Sequence, residues 1–130
     1  EQIDVIQEKR KKIWNQYCQE LETLQKKGII QLPNVPGYAS NNAHMFYVIC
    51  KNLEQRTKLI KELAANNVYA VFHYLSLHKS PYYQPKYKGD ELAISDYFSD
   101  CLVRLPMYYE LSESETSYIT TMVNKILDNA

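Results

Sequence analysis

The sequence predicts an α+β fold in a single domain, with helices packed on a short sheet. Long stretches near both ends of the 130-residue chain repeat apolar residues at helical spacing. Between them, short apolar runs rich in β-branched and aromatic residues alternate with two further helical stretches. The resulting order is α-β-α-β-loop-α-β-α, and a chain of this length matches one domain.

The composition argues against several classes of protein. Fifteen basic residues balance fifteen acidic ones, so a nucleic-acid binder that neutralises phosphates and a basic membrane-surface domain are both disfavoured. No apolar run approaches the roughly 18 residues of a membrane-spanning helix, so we expect no membrane or export signal. The cysteines Cys18, Cys50 and Cys101 form no CxxC pair, which predicts reduced thiols in a cytoplasmic protein rather than disulfides or a zinc site.

The first element is predicted to be a long amphipathic helix over Gln2–Lys27, with Gly28 as its C-cap. Its apolar positions are Ile3, Ile6, Ile13, Trp14, Tyr17, Leu21 and Leu24. The basic cluster Lys9–Lys12 shares the helix with several glutamates and is more typical of a solvated face than of a binding patch. Because the helix begins without an N-cap or lead-in, we expect the chain to be a piece of a longer protein.

Three apolar runs in the first half predict strands. Ile29–Leu32 is a brief run before a proline-containing loop. His44–Cys50 is the clearest strand, and its nearly continuous apolar character predicts a central strand covered on both faces. A helix over Leu53–Asn66 follows, opened by Asn52 and ended by asparagines that tolerate the left-handed conformation. The third strand is predicted over Val68–Tyr74.

The second half is predicted to begin with an extended loop over Leu75–Gly89, which holds Pro81 and Pro85. Asp90 is the expected N-cap of a helix that runs to Cys101. The buried side of this helix is predicted to be Leu92, Ile94, Tyr97, Phe98 and Cys101.

A short strand over Leu102–Tyr109 and a last helix complete the predicted chain. Ser112 and Glu115 form a capping box before that helix. Its buried positions are predicted to be Ile119, Met122, Val123, Ile126 and Leu127.

The stretch Phe72–His78 holds most of the chemical interest, because it places His73, Tyr74 and His78 at the exit of a predicted strand. His44 opens another strand and is a weaker candidate. A metal site is disfavoured, since the H-x4-H spacing at a strand exit does not set both rings on one face. Binding or proton handling suits histidine near neutral pH, and a structural role satisfied by a backbone carbonyl stays open.

Nucleophilic catalysis within this chain has little support, because the sequence has no G-x-S-x-G motif and no glycine-rich phosphate loop. We therefore expect no catalytic residue in this chain. Two alternatives stay open: a subdomain that completes a site built elsewhere, and a stand-alone, non-catalytic interaction domain. The interaction domain would use the 82–87 loop and the exposed face of the first helix.

Three segments resemble, in order and spacing, the C-terminal part of the DegT-type sugar aminotransferases. They are Asn42–Tyr47, Ala70–His78 with Ser80-Pro81, and Leu105–Ser112. The resemblance covers essentially the whole chain. It implies that residues 1–130 are the small C-terminal domain of an aspartate-aminotransferase-type (fold type I) enzyme, with a short, mainly antiparallel sheet. The large N-terminal domain, which carries the Schiff-base lysine, would be absent from this sequence.

The resemblance also implies a reaction. Pyridoxal 5'-phosphate would take an amino group from glutamate and pass it to a 4-keto-6-deoxy sugar linked to dTDP or another nucleotide, for cell-surface polysaccharide synthesis. The full-length enzyme would be a homodimer, and this fragment alone would be inactive. By match to the family's H-Y-x-x-L-H motif, His73, Tyr74 and His78 would line the substrate side, with His44 a weaker candidate. Ser76 stands where the family usually has proline.

Overall fold

The computed structural model describes residues 2–128. This part of the chain contains four helices and three strands, and a 3-10 turn over Leu77–Lys79 follows the second strand. The elements are α1 Ile3–Lys26, β1 Phe46–Ile49, α2 Leu53–Ala65, β2 Val71–Phe72, α3 Ala93–Cys101, β3 Leu102–Leu105 and α4 Glu113–Asp128. The predicted α+β class is confirmed.

The sheet is antiparallel and has the order β1-β3-β2, so the last strand in the sequence is the central one. The prediction that β1 is central is wrong, because it is an edge strand. Its continuous apolar character reflects burial by helices rather than a strand on each side. The predicted strand Ile29–Leu32 is reduced to one antiparallel bridge between Gln31 and Ile49, closed by two backbone hydrogen bonds of 2.9 Å.

The hydrophobic core lies between one face of the sheet and the helices α1, α2 and α4. Phe46 of β1 is fully buried, and its ring stacks on Tyr17 of α1 at a centroid distance of 4.8 Å. Trp14 meets the same ring edge-on at 5.6 Å. The Tyr17 hydroxyl donates a 2.7 Å hydrogen bond to the carbonyl of Pro106, which ties the first helix to the end of β3.

Local capping signals set the helix ends. Gly28, at φ 67°, ends α1 as predicted, and the Ile29 N–H donates to the Leu24 carbonyl at 2.9 Å. Asn67, at φ 59°, plays the same part after α2. The predicted capping box of α4 is confirmed, since the Glu115 N–H donates to Ser112 Oγ at 3.2 Å.

The structure shortens two predicted strands. The run predicted over Val68–Tyr74 contributes only Val71–Phe72, and that predicted over Leu102–Tyr109 ends at Leu105. The length of an apolar run in the sequence reflects how many residues are buried. A strand also requires each of its residues to pair with a residue of a neighbouring strand. The loop over Leu75–Gly89 is not extended as predicted, because it folds into the 3-10 turn and a further turn over residues 81–86.

Helix α3 differs most from its prediction. It begins at Ala93, and its N-cap Leu92 makes no side-chain bond, so Asp90 is not the cap. Of the predicted buried side, only Cys101 is buried. Leu92, Ile94, Tyr97 and Phe98 are exposed. Helical periodicity identifies an apolar face but does not identify what covers it.

The three cysteines are free thiols, of which Cys50 and Cys101 are buried and Cys18 is half-buried. Burial raises the pKa of the Cys50 thiol to about 12, with a further contribution from Cys101. Within residues 2–128, no helix combines the length and the apolar character needed to cross a membrane.

Candidate substrate-side site

Hydrogen bonds from two serines of α3 hold the segment Phe72–His78. Ser76 is buried, and its N–H donates to Ser99 Oγ at 3.2 Å. The Ser99 hydroxyl donates to the Tyr74 carbonyl at 3.1 Å, and Ser95 Oγ lies 3.4 Å from Ser76 Oγ. A serine at position 76 therefore fixes the backbone through hydrogen bonds, where a proline would fix it through its ring.

His78 lies on the 3-10 turn beside Asp96 of α3. Its Nε2 is 3.3 Å from Asp96 Oδ1, and the Lys79 ammonium is 2.7 Å from Asp96 Oδ2. The hydrogen bond from Lys79 holds the pKa of the Asp96 carboxyl below its usual value, so the carboxylate stays charged. The imidazole is only 10% exposed and lies 5.4 Å from the Tyr87 ring. His78 can therefore anchor the turn and offer one edge to a ligand.

His73 and Tyr74 are more accessible than His78. Their rings meet edge-on at a centroid distance of 4.6 Å, and the Tyr74 side chain is 74% exposed. His73 is half-buried, and its Nδ1 is buried without a hydrogen-bond partner among residues 2–128. Because buried ring nitrogens are nearly always hydrogen-bonded, this atom is suited to a group from outside the described part of the chain.

His44 lies apart from the other two histidines. It precedes β1, whereas His73 follows β2, and these strands form opposite edges of the sheet. Two strand spacings, about 10 Å, separate those edges. His44 is exposed, and its Nδ1 lies 2.9 Å from Asn42 Oδ1. No group of three metal-binding side chains occurs in the described residues, so the histidines do not form a shared metal site there.

Sequence reasoning missed Asp96, which contacts both His78 and Lys79. It lies 18 positions after His78 on a helix that the sequence marked only by its apolar residues. A histidine followed by a lysine on one turn can pair with a carboxylate, but the sequence does not indicate which of the later acidic residues provides it.

Comparison with known proteins decides the family. The sequence profile of the DegT/DnrJ/EryC1/StrS aminotransferase family matches residues 1–124. This chain belongs to that family. The predicted resemblance is therefore confirmed at the level of the family.

Individual relatives match over nearly all of this chain. MJ1066 of Methanocaldococcus jannaschii, an uncharacterised protein, is 25% identical over an alignment of 130 positions that covers 95% of this chain and 33% of that protein. DesV of S. venezuelae has the same fold at a TM-score of 0.88 and 21% identity, over 99% of this chain and 34% of DesV. The PLP form of Spr1654 of Streptococcus pneumoniae, assigned as a sugar aminotransferase, gives a TM-score of 0.78 at 20% identity, over 94% of this chain and 31% of Spr1654. This family member thus spans about one third of the length of these relatives.

The lysines of this family member are not suited to form the covalent Schiff base with pyridoxal phosphate. An amine that attacks the cofactor aldehyde must first lose its proton, which requires a buried lysine or one with a lowered pKa. Every lysine in residues 2–128 is exposed except half-buried Lys9. The hydrogen bond to Asp96 raises the pKa of Lys79, which is the opposite of what an anchoring lysine needs.

Proposed function

We propose that this chain is the small, substrate-side domain of a PLP-dependent sugar aminotransferase. The single observation that carries the proposal is the family match over residues 1–124. A length of about one third of the relatives supports the second part of the proposal, that the cofactor lysine lies in the rest of a longer polypeptide. The fragment alone is then inactive.

The proposed reaction moves an amino group from glutamate to a 4-keto-6-deoxy sugar on a nucleotide. When bound, pyridoxal phosphate supplies the electron sink for this chemistry. The segments Asn42–Tyr47, Ala70–His78 and Leu105–Ser112 resemble those of dTDP-4-amino-4,6-dideoxygalactose transaminase, so we propose a dTDP-linked sugar. We also propose a homodimeric, cytoplasmic enzyme that serves cell-surface polysaccharide synthesis.

The residues of this chain would bind and orient the sugar substrate. The exposed Tyr74 ring offers an apolar face and a hydroxyl, and the His73 imidazole can donate to or accept from a sugar hydroxyl. Asp96 holds His78 and Lys79, so the turn keeps its shape when the substrate binds. His44 stays a weaker candidate, since it lies at the other edge of the sheet.

The test is kinetic and uses the full-length enzyme. Replacing His73 or His78 by alanine should lower kcat/KM for the sugar nucleotide about tenfold, the factor that corresponds to one lost hydrogen bond of about 1.4 kcal/mol. The absorbance of the bound cofactor should stay unchanged, because neither histidine anchors it. Tyr38→Ala, at a side chain that is 93% exposed in a loop, serves as the control and should leave kcat/KM unchanged.

Three outcomes would contradict the proposal. If kcat/KM for the sugar nucleotide were unchanged in both histidine variants, His73 and His78 would have structural roles only. If residues 1–130 alone formed a chromophore between pyridoxal phosphate and a lysine, the cofactor lysine would lie in this domain and not in the rest of the longer polypeptide. A full-length protein without any amino-transfer activity would favour the interaction domain, for which the exposed rings of Tyr82 and Tyr83 in the 82–87 turn are the supporting observation.

A further inference from the structure

Arg104 occupies the middle of the central strand, on the face of the sheet that points away from the core. Its neighbours along β3, Val103 and Leu105, are buried against the helices. Successive residues of a strand face opposite sides, so Arg104 lies on the other face. In register it pairs with Tyr47 of β1 on one side and with Val71 of β2 on the other. No acidic residue stands in this row.

The guanidinium of Arg104 has no partner within residues 2–128. The side chain is half-buried, and its Nε is buried without a hydrogen bond. No carboxylate of the described residues lies within 4.0 Å of it. The other two arginines both have neighbours. Arg10 donates to the carbonyls of Ala43 and His44. Arg56 also has a buried Nε without a hydrogen bond, but its guanidinium lies over the Phe72 ring at 5.4 Å.

An unpaired, half-buried guanidinium indicates a missing anion. Arginine stays protonated at any physiological pH, so it cannot relieve its burial by losing a proton. Its planar fork of N–H donors matches the two oxygens of a carboxylate or of a phosphate group. With Tyr47 and Val71 as its cross-strand neighbours, nothing in the described row supplies those oxygens.

We propose that Arg104 binds an oxyanion, a carboxylate or a phosphate group, that a substrate of the enzyme carries. This inference rests on the proposed function, whose two substrates each bring one such group: the amino donor a carboxylate and the sugar nucleotide phosphates. The position supports it. Val71, the cross-strand partner of Arg104, lies two residues before His73, so Arg104 lies beside the edge strand from which the segment Phe72–His78 continues.

The kinetic test compares Arg104→Gln with Lys61→Gln in the full-length enzyme. Arg104→Gln should raise KM about tenfold or more for one substrate, with a smaller change in kcat. A rise for glutamate identifies the carboxylate as the ligand, and a rise for the sugar nucleotide identifies the phosphate. Lys61→Gln removes a positive charge from the exposed side of α2 and should leave both KM values near wild type.

A binding test separates this site from the proposed function. Inorganic phosphate or succinate should raise the Tm of the wild-type full-length protein, and Arg104→Gln should abolish the increase. Loss of that increase in a protein without aminotransferase activity would refute the proposed function and support the oxyanion site. Absence of the increase in the wild type, or an equal increase in the variant, would overturn the site. If Arg104→Gln fails to fold, Arg104→Lys keeps the charge but not the fork and should give a reduced increase.

Discussion

At the scale of single residues, Tyr17 illustrates how one side chain joins two parts of the fold. Its ring is fully buried against Phe46, and its hydroxyl reaches the carbonyl of Pro106 beyond the end of β3. Burial, with repulsion from Tyr108 and Glu20, raises the pKa of this phenol well above its usual value, so the hydroxyl stays protonated and remains a donor.

Tyr17→Phe should therefore destabilise the fold. The substitution keeps the ring but leaves a carbonyl without its donor, which costs about 1–3 kcal/mol. Urea denaturation measures the change in the free energy of unfolding. Tyr38→Phe removes the same hydroxyl from a side chain that is 93% exposed and should change stability by less than about 0.5 kcal/mol. An equal loss of unfolding free energy in both variants would show that the hydrogen bond to the Pro106 carbonyl does not stabilise the fold.

The sequence predicts residues that act on near neighbours and misses those that act across the chain. Ser112 and Glu115 are three positions apart, so their capping box is readable as a motif. The contact of Asp96 with His78 depends on how α3 packs beside the turn. The sequence also did not predict that Arg104 is unpaired, because a charged residue within an apolar run does not show whether another residue pairs with it.

At the scale of elements, a polar cluster joins α1 to α4. The Glu20 carboxylate accepts hydrogen bonds from Gln16 at 2.8 Å, from Ser117 at 2.9 Å and from Thr120. Burial alone would raise the pKa of Glu20, but these hydrogen bonds outweigh it and lower the pKa below the usual 4.5. The two helices are therefore held together more firmly when Glu20 is ionised.

Glu20→Gln should remove part of the pH dependence of stability. A carboxyl whose pKa is lowered by folding stabilises the protein above its unfolded pKa and loses that contribution as the pH falls through the folded value. The difference in unfolding free energy between wild type and Glu20→Gln should thus be largest at pH 7 and shrink below about pH 4.5. Urea titrations across this range measure it. A difference that stays constant across this pH range for Glu20→Gln would refute the argument.

Helices were predicted better than strands for a physical reason. Both ends of α1 and α2 and the start of α4 lie within about two residues of their predictions, because caps such as Gly28 and Asn52 act locally. Strand bounds depend on pairing with distant residues. For β2, only the two residues opposite Val103 and Arg104 meet that condition.

At the scale of the whole molecule, much of the exposed apolar area comes from one part of the chain. Large apolar side chains are exposed along residues 69–98, and Ile94 of α3 is 76% exposed. A surface of this kind is typical of an interface. Since this chain spans about one third of its relatives' length, the rest of the proposed longer polypeptide is the natural cover for it.

Ile94→Lys should reduce the binding of a hydrophobic dye by the 130-residue chain and change stability by less than about 0.5 kcal/mol. The reason is that Ile94 adds apolar area to the surface without packing in the core. Fluorescence titration with the dye and urea denaturation measure the two effects. Ile3→Lys changes an exposed isoleucine on α1, 61% exposed, and should leave dye binding unaltered. A large loss of stability in Ile94→Lys would mean that α3 is buried after all.

The order β1-β3-β2 also has a consequence for synthesis of the chain. Both edge strands are synthesised before the central strand that pairs with them. Phe46 pairs with Leu105 and Val71 pairs with Arg104, and in each pair the β3 residue is synthesised later. Until then, two apolar strands remain without partners, which is the condition in which nascent chains aggregate. A chain that stops before Leu102 would have no sheet at all. The four residues of β3 therefore complete the sheet, and α4 follows them to close the core.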